Sequence, residues 1–354
     1  MNFLEALPKH LRGLQPVPLD IPIPNAIQMG MNENPFGPSP KAIQAMRSTL
    51  DECNRYPDDT GYALRQKLAA HYRISMEQII VGVGASDLLG MAFNSVLSPE
   101  TEVLTSDGSF VVYYLLAAST GMRMVRTRLK DYGFDLHAMA DKINRRTRLI
   151  LIANPNNPTG TIINRKQLEG FIEKVPNDVL LVIDEAYFDY VDAPGYPNSL
   201  DYLREGKSIL TVRTFSKVYG LAGLRIGYGI SNEDVIEALH KVRMTYSLSG
   251  PAIAAGIAAL DDHEHVEMSI KMNRTEREFL SHEFEKRGMK YVPSHTNFIL
   301  LNLARSADDV AAALLREGVI VRPMTSWGVP GGLRVSIGTR EHNEKFLAGL
   351  EKVL

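Results

Sequence analysis

Thr214-Phe215-Ser216-Lys217-Val218-Tyr219-Gly220-Leu221-Ala222-Gly223-Leu224-Arg225 sets one lysine among hydroxyls and glycines, with an arginine eight positions further on. A lysine attacks carbonyls only as the neutral amine, and a hydroxyl- and glycine-lined turn after a buried strand can bring it into a desolvated pocket that lowers its pKa. Such a lysine is suited to holding an aldehyde cofactor. Upstream, the apolar run Val179-Leu180-Leu181-Val182-Ile183 delivers Asp184 at its end, and Arg148-Leu149-Ile150-Leu151-Ile152-Ala153 leads into Asn154-Pro155-Asn156-Asn157-Pro158-Thr159-Gly160.

Outward from this stretch the chain reads as alternating strands and helices. Strands are expected at 79–83, 102–106, 123–129, 148–154, 179–184, 208–214 and 224–230. Several are continuous apolar runs, which implies burial on both faces and a mostly parallel sheet covered by helices. Helices are expected at 40–50 and 63–72. After the first strand, Leu88, Leu89, Ala92, Phe93, Val96 and Leu97 repeat with helical spacing, so Gly84-Ala85-Ser86-Asp87 is a strand-to-helix turn. A break at Thr245-Tyr246-Ser247-Leu248-Ser249-Gly250-Pro251 precedes a long helix over 263–288. Strands at 298–303, 319–322 and 333–337 with helices at 307–317 and 340–354 then suggest a small α+β unit. The proline-spaced segment before Gly30 reads as an extended arm that must lie on something. The expected division is therefore an arm at 1–30, a large domain at 31–245 and a small domain at 246–354, the last possibly completed by part of the N-terminal segment.

Length and composition narrow the function. At 354 residues and 45% hydrophobic content the chain can bury a large core. A net charge of -2 without long runs of one sign gives no footprint for nucleic acid or for an anionic membrane. Prolines 8, 16, 18, 22 and 24 spoil any signal-peptide core, and no apolar run reaches the ~18 residues that a membrane span needs. The single cysteine, Cys53, excludes an intrachain disulfide framework and fits a reducing cytoplasm. Nine histidines show no ligand spacing; His263 and His265 are two apart on an expected helix and do not share a face, so no metal site is expected.

Five blocks, in order, carry a resemblance: Asn32-Glu33-Asn34-Pro35-Phe36-Gly37-Pro38-Ser39-Pro40, Arg55-Tyr56-Pro57-Asp58, the turn 154–160, Asp184-Glu185-Ala186-Tyr187, and Ser216-Lys217 with Arg225. The chain resembles the fold type I enzymes that use pyridoxal 5'-phosphate (PLP), and among them the histidinol-phosphate aminotransferases. The resemblance implies an α/β fold, with a mixed, mostly parallel sheet in a three-layer α/β/α large domain and a small α+β domain. It implies that Lys217 tethers PLP and shuttles a proton, that Asp184 pairs with the ring nitrogen, and that Asn157 and Tyr187 donate to the ring oxygen. Phe110 would stack on the ring. Gly84, Ala85 and Ser86 at a helix start, with Thr214, Ser216 and Arg225, would cradle the phosphate.

The resemblance also implies partners. Tyr56 would reach the phosphate of a neighbouring subunit's cofactor, making a homodimer with shared sites. Arg334 and Arg322 would take the anionic groups of an amino donor and a 2-oxo acid acceptor, with Asn34 near the substrate. One departure stands out. Family members carry an N-terminal tyrosine that contacts the substrate phosphate, whereas this chain reads Leu14-Gln15-Pro16-Val17-Pro18. Phenylalanine or another aromatic amino acid is therefore an alternative substrate, and amino-acid decarboxylation a further one, because the electron sink does not choose which Cα bond breaks. A PLP-binding transcriptional regulator would need a DNA-reading module, for which an arm of about thirty residues is too short.

Overall fold

The structure is a computed structural model that describes residues 2–14 and 23–354, so Val17 lies outside the described residues. The arm carries two one-turn helices, Phe3–Ala6 and Lys9–Arg12, and then a two-residue strand β1 (Ile27–Gln28). Seven strands follow: β2 (Ile79–Val83), β3 (Glu102–Ser106), β4 (Arg123–Thr127), β5 (Thr147–Ala153), β6 (Leu180–Asp184), β7 (Ile209–Thr214) and β8 (Ile226–Ile230). They form one sheet in the order β2-β8-β7-β6-β5-β3-β4. Only β8 runs antiparallel to its neighbours, β2 and β7, so the sheet is mixed and mostly parallel.

Side-chain alternation builds a layer on each face of this sheet. Ile80, Leu149, Leu151, Val182, Leu210 and Val212 point to one face, where they meet Leu88, Leu89 and Phe93 of the helix Ala85–Ser95 and Tyr113 and Ala117 of the helix Val111–Thr120. Ile79, Val81, Ile226, Tyr228 and Ile230 point to the other, against Leu64 and Leu68 of the helix Tyr62–Tyr72. The helix Gly250–Leu260 starts inside the break expected at 245–251 and packs in this second layer through Ala252, Ala255 and Ala259, on the large sheet and not in the small unit expected from 246 onward.

The remaining strands are β9 (Tyr291–Val292), β10 (Phe298–Asn302), β11 (Val319–Ile320), β12 (Arg322–Pro323) and β13 (Gly332–Ser336). Four of them form an antiparallel sheet, β12-β13-β10-β9. Its core, with Leu280, Phe284, Ile299, Leu301, Leu314, Val335 and Phe346, is closed by the helices His263–Lys286, Ala307–Arg316 and Arg340–Val353. The arm joins this unit: β1 pairs in parallel with β11, and Ser336 N donates to Met29 O at 2.7 Å. Among the described residues no helix is long and apolar enough to cross a membrane.

Candidate active site

In an open parallel sheet, functional groups collect beyond the carboxyl ends of the strands. Here β5 runs into Asn154, β6 ends on Asp184 and β7 ends on Thr214. A cavity of about 530 Å³ lies there. Its wall includes Ala85, Ser86, Phe110, Asn157, Asp184, Tyr187, Thr214, Ser216, Lys217, Arg225, Arg322 and Arg334, twelve of the residues singled out from the sequence.

Lys217 stands on the tight turn after β7. This turn lies against the Asn32–Pro40 segment so closely that a Cβ on Gly220 (φ +69°) would sit 2.0 Å from Gly37 O. Glycine is required there both for the left-handed backbone and for the close approach. The Lys217 amine donates to Asn32 O at 3.1 Å and Met31 O at 3.3 Å. Burial, helped by the positive charge of Arg334, lowers its pKa to about 8, so a useful fraction is neutral near physiological pH.

Asp184 is buried. Tyr113 Oη donates to its Oδ2 and Ala186 N to its Oδ1, both at 3.1 Å. Burial pushes its pKa up to about 6 against the pull of those two hydrogen bonds. A carboxylate held this way lacks a cation, and a protonated ring nitrogen would supply one. Tyr187 Oη accepts from Asn32 Nδ2 at 2.9 Å and from Asn157 Nδ2 at 3.4 Å, and burial raises its pKa to about 12, so it stays protonated.

The phosphate-cradle candidates converge. Gly84 (φ +78°) precedes the helix Ala85–Ser95, whose first N–H groups are free of intrahelical acceptors, and a Cβ on Gly84 would lie 2.6 Å from Arg225 Nη2. Arg225 Nη1 donates to Ala222 O at 3.0 Å and lies 3.5 Å from Ser216 Oγ, which accepts from Thr214 Oγ1 at 3.0 Å. Helix-start N–H groups, two hydroxyls and a guanidinium make an anion cradle. Phe110 caps the start of the helix Val111–Thr120, edge-on to Tyr113, with Trp327 6.2 Å from it across the cavity wall.

Arg334, on β13, is buried. Its Nη1 donates to Asn157 Oδ1 and its Nη2 to Gly30 O, each at 2.6 Å, while its Nε has no partner among the described residues. The guanidinium centre is 5.4 Å from the ring centroids of both Phe298 and Trp327. Burial lowers its pKa to about 10, which leaves it charged at neutral pH. Arg322 and Arg225 are the other two guanidiniums on the wall.

Two of the expected residues lie elsewhere. Asn34 is not on the cavity wall: its Nδ2 donates to Val218 O and Ser269 Oγ, both at 2.9 Å, and its Oδ1 accepts from Phe36 N, so it ties the segment to the lysine turn and the long helix. The asparagine that faces the site is Asn32. Tyr56 is 85% exposed, rests on Tyr246 at 4.9 Å between ring centroids, and does not enter its own chain's cavity. Asn32, Glu33, Tyr113 and Trp327 were missed from the sequence. Among the described residues no cluster of histidine, cysteine and carboxylates could hold a metal ion.

The donor set fits PLP. It offers an amine of lowered pKa, a buried carboxylate short of a cation, two donors aimed at one region, and a cradle that a single added Cβ would block.

Comparison with known proteins agrees with this fit. The family model for aminotransferase class I and II matches residues 24–350. Histidinol-phosphate aminotransferase 1 of Nitrosococcus oceani is 44% identical over 93% of this chain and 89% of its own length, and the histidinol-phosphate aminotransferase of Moorella thermoacetica is 41% identical over 97% and 89%. The crystal structure of histidinol-phosphate aminotransferase from Sinorhizobium meliloti in complex with pyridoxal-5'-phosphate superposes with a TM-score of 0.87 at 29% identity, covering 92% of this chain and 90% of that one. Aspartate aminotransferase from Thermus thermophilus with maleate has a TM-score of 0.83 at 26% identity, covering 93% and 92%. A lysine, an acid and an anion cradle at the strand ends of a mixed sheet, with relatives matched over nearly their whole length, place this chain in the class I and II aminotransferases, within the histidinol-phosphate aminotransferase family.

Proposed function

We propose that this chain, a PLP-dependent aminotransferase, moves an amino group between histidinol phosphate and 2-oxoglutarate, with glutamate and imidazole-acetol phosphate as the other pair. The observation that carries the reading is one cavity walled by Lys217, Asp184, Asn157 and Tyr187 together with Arg322 and Arg334. When bound, PLP supplies an aldehyde carbon for the amine and an electron sink for the charge left at Cα.

The chain's own residues do the rest. Lys217 would tether the cofactor through its amine, and the same amine, when free, would take a proton from Cα and return one, a task suited to a pKa near the working pH. Asp184 holds the ring-nitrogen proton. Asn157 and Tyr187 direct an N–H and an O–H at the ring oxygen, and Phe110 stacks on the ring. Ala85, Ser86, Thr214, Ser216 and Arg225 hold the cofactor phosphate, with Gly84 permitting the approach. Arg334 and Arg322 hold the anionic group of whichever substrate is bound, a carboxylate or a phosphate, since a planar guanidinium matches both.

The same reading takes the protein as a cytoplasmic homodimer in which Tyr56 crosses to the partner's cofactor phosphate. An exposed tyrosine ring with no role in its own cavity and a lone exposed thiol at Cys53 accord with it. Phenylalanine stays a second reading, because Phe110 and Trp327 offer apolar wall to a phenyl ring as readily as to an imidazole.

A half-reaction screen tests this. Histidinol phosphate, glutamate, phenylalanine and phosphothreonine are added singly, and the absorbance of the lysine-bound cofactor is followed. Loss of that band with histidinol phosphate and glutamate but not with phenylalanine is expected. Response to phenylalanine without histidinol phosphate would move the reading to an aromatic aminotransferase, and carbon dioxide release would move it to a decarboxylase.

A further inference from the structure

Asn32 is 1% exposed and adopts φ +56°, a left-handed conformation that asparagine tolerates better than most residues. All of its polar groups are engaged. Its N donates to Ser336 Oγ at 2.8 Å, and Ser336 Oγ in turn donates to its Oδ1 at 3.0 Å. Its O accepts from Asn297 Nδ2 at 3.0 Å and from the Lys217 amine at 3.1 Å. Its Nδ2 also points to the reacting region, donating to Tyr187 Oη at 2.9 Å.

That last bond decides what Tyr187 can do. A phenol has two acceptor positions and one hydrogen to give. Asn32 Nδ2 and Asn157 Nδ2, at 2.9 and 3.4 Å, fill both acceptor positions, and no acceptor among the described residues takes the phenolic hydrogen. The hydrogen is left for whatever occupies the cavity. An acceptor in place of Asn32 Nδ2 would reverse this, drawing the hydrogen back into the protein.

We propose that Asn32 is a positioning residue that sets the polarity of the Tyr187 hydroxyl, holding it as a donor toward the ring oxygen of the cofactor, and that Ser336 and Asn297 fix Asn32 for this task. The inference rests on the cofactor reading given above. It also separates two jobs within one residue: the side chain orients Tyr187, while the backbone carbonyl receives the amine of Lys217 when that amine is free.

A donor to the ring oxygen stabilises its negative charge and so makes the adjacent nitrogen of the lysine linkage easier to deprotonate. Weakening that donor raises the pH midpoint of the bound cofactor's absorbance. Two variants separate the side chain from the fold. N32G deletes the side chain while accepting the positive φ, and N32D keeps the shape but can only accept a hydrogen bond.

Spectral titration of the holoenzyme is expected to show N32D raising the midpoint by about one pH unit, a tenfold change in the proton equilibrium, with N32G shifting it less in the same direction. In a Y187F background, N32G is expected to add nothing, because the effect runs through the phenol. An unchanged midpoint in both single variants, or an equal N32G shift with and without the Tyr187 hydroxyl, overturns the proposal. If instead the unsubstituted protein shows no titrating absorbance and borohydride fixes no label at Lys217, the cofactor reading itself has failed and the proposal goes with it.

Discussion

Tyr113 Oη donates to Asp184 Oδ2 at 3.1 Å from a ring wholly closed off from solvent. Tyr113 belongs to the helix Val111–Thr120 that covers one sheet face, and Asp184 to the end of β6, so a packing residue of one layer holds the charged residue of another. A hydrogen bond to a charged acceptor contributes about 1.5–3 kcal/mol. Tyr113→Phe fills the same space without the donor, leaving burial less opposed and Asp184 more readily protonated. The expected result is PLP affinity weakened by about tenfold or more, read from a fluorescence or absorbance titration of the cofactor-free protein, with circular dichroism unchanged.

The Lys217 amine, lowered to about 8, predicts a reactivity profile. Only the neutral amine attacks an aldehyde, and below the pKa its fraction rises tenfold per pH unit. Labelling of the cofactor-free protein by PLP and borohydride at short times should therefore climb steeply between pH 6 and pH 8 and level off above that. Peptide mapping should place the label at Lys217, and Lys217→Ala should abolish it. A climb that continues through pH 10, as for an ordinary surface lysine, would contradict the desolvated setting.

Next to Asp184, Glu185 forms a buried ion pair with Arg213, whose Nη2 and Nε donate to Oε2 at 2.7 and 2.9 Å, while Ser199 Oγ donates to Oε1 at 2.7 Å. The Arg213 guanidinium also lies 3.7 Å over the Phe188 ring. Removing one member leaves a buried charge without a partner. Glu185→Ala should cost about 3–5 kcal/mol in urea unfolding. Glu185→Ala with Arg213→Met should recover part of that loss, because the double change leaves no uncompensated charge.

How much of this could be read from the sequence follows from what each feature depends on. The strands of the large sheet were legible because runs such as Leu149–Ala153 and Leu180–Ile183 are buried on both faces, and a run that apolar has few other places to go. Lys217, Asp184 and Asn157 were legible because each sits in its own block at a strand end. The sequence points to Asn34 and not Asn32 because the two stand in one block, and the left-handed turn at Asn32 (φ +56°) that sends their side chains to different places leaves no mark in it. Which one faces the site is settled by the Gly220–Gly37 contact and by Ser336, residues far away in the chain. Tyr113 sits in a run of apolar helix, and its link to Asp184 exists only because the sheet order brings β6 beneath that helix. The strand β1 is two residues long, too short for any period to register.

Tyr56 offers a test by hybrid assembly. Lys217→Ala and Tyr56→Ala each remove a different part of the shared site. If Tyr56 serves the partner's cofactor, a mixed dimer holds one site with both residues intact. Mixing the two inactive proteins under conditions of subunit exchange should restore activity, up to about half of the native value per mixed dimer on site counting. No recovery, with exchange verified by mass, would mean that Tyr56 acts elsewhere.

The pairing of Ile27–Gln28 with Val319–Ile320 also bears on the order in which the protein is made. A growing chain on the ribosome holds all seven strands of the large sheet once residue 230 has emerged, yet the groups that seat Met29 and Asn32 lie at Ile320 and Ser336, which emerge later. Until those residues appear, the segment that receives the lysine amine is anchored at its Asn34–Gly37 end but lacks its strand pairing and its Ser336 contacts, and a product cut short of them would carry the sheet but not a finished cavity.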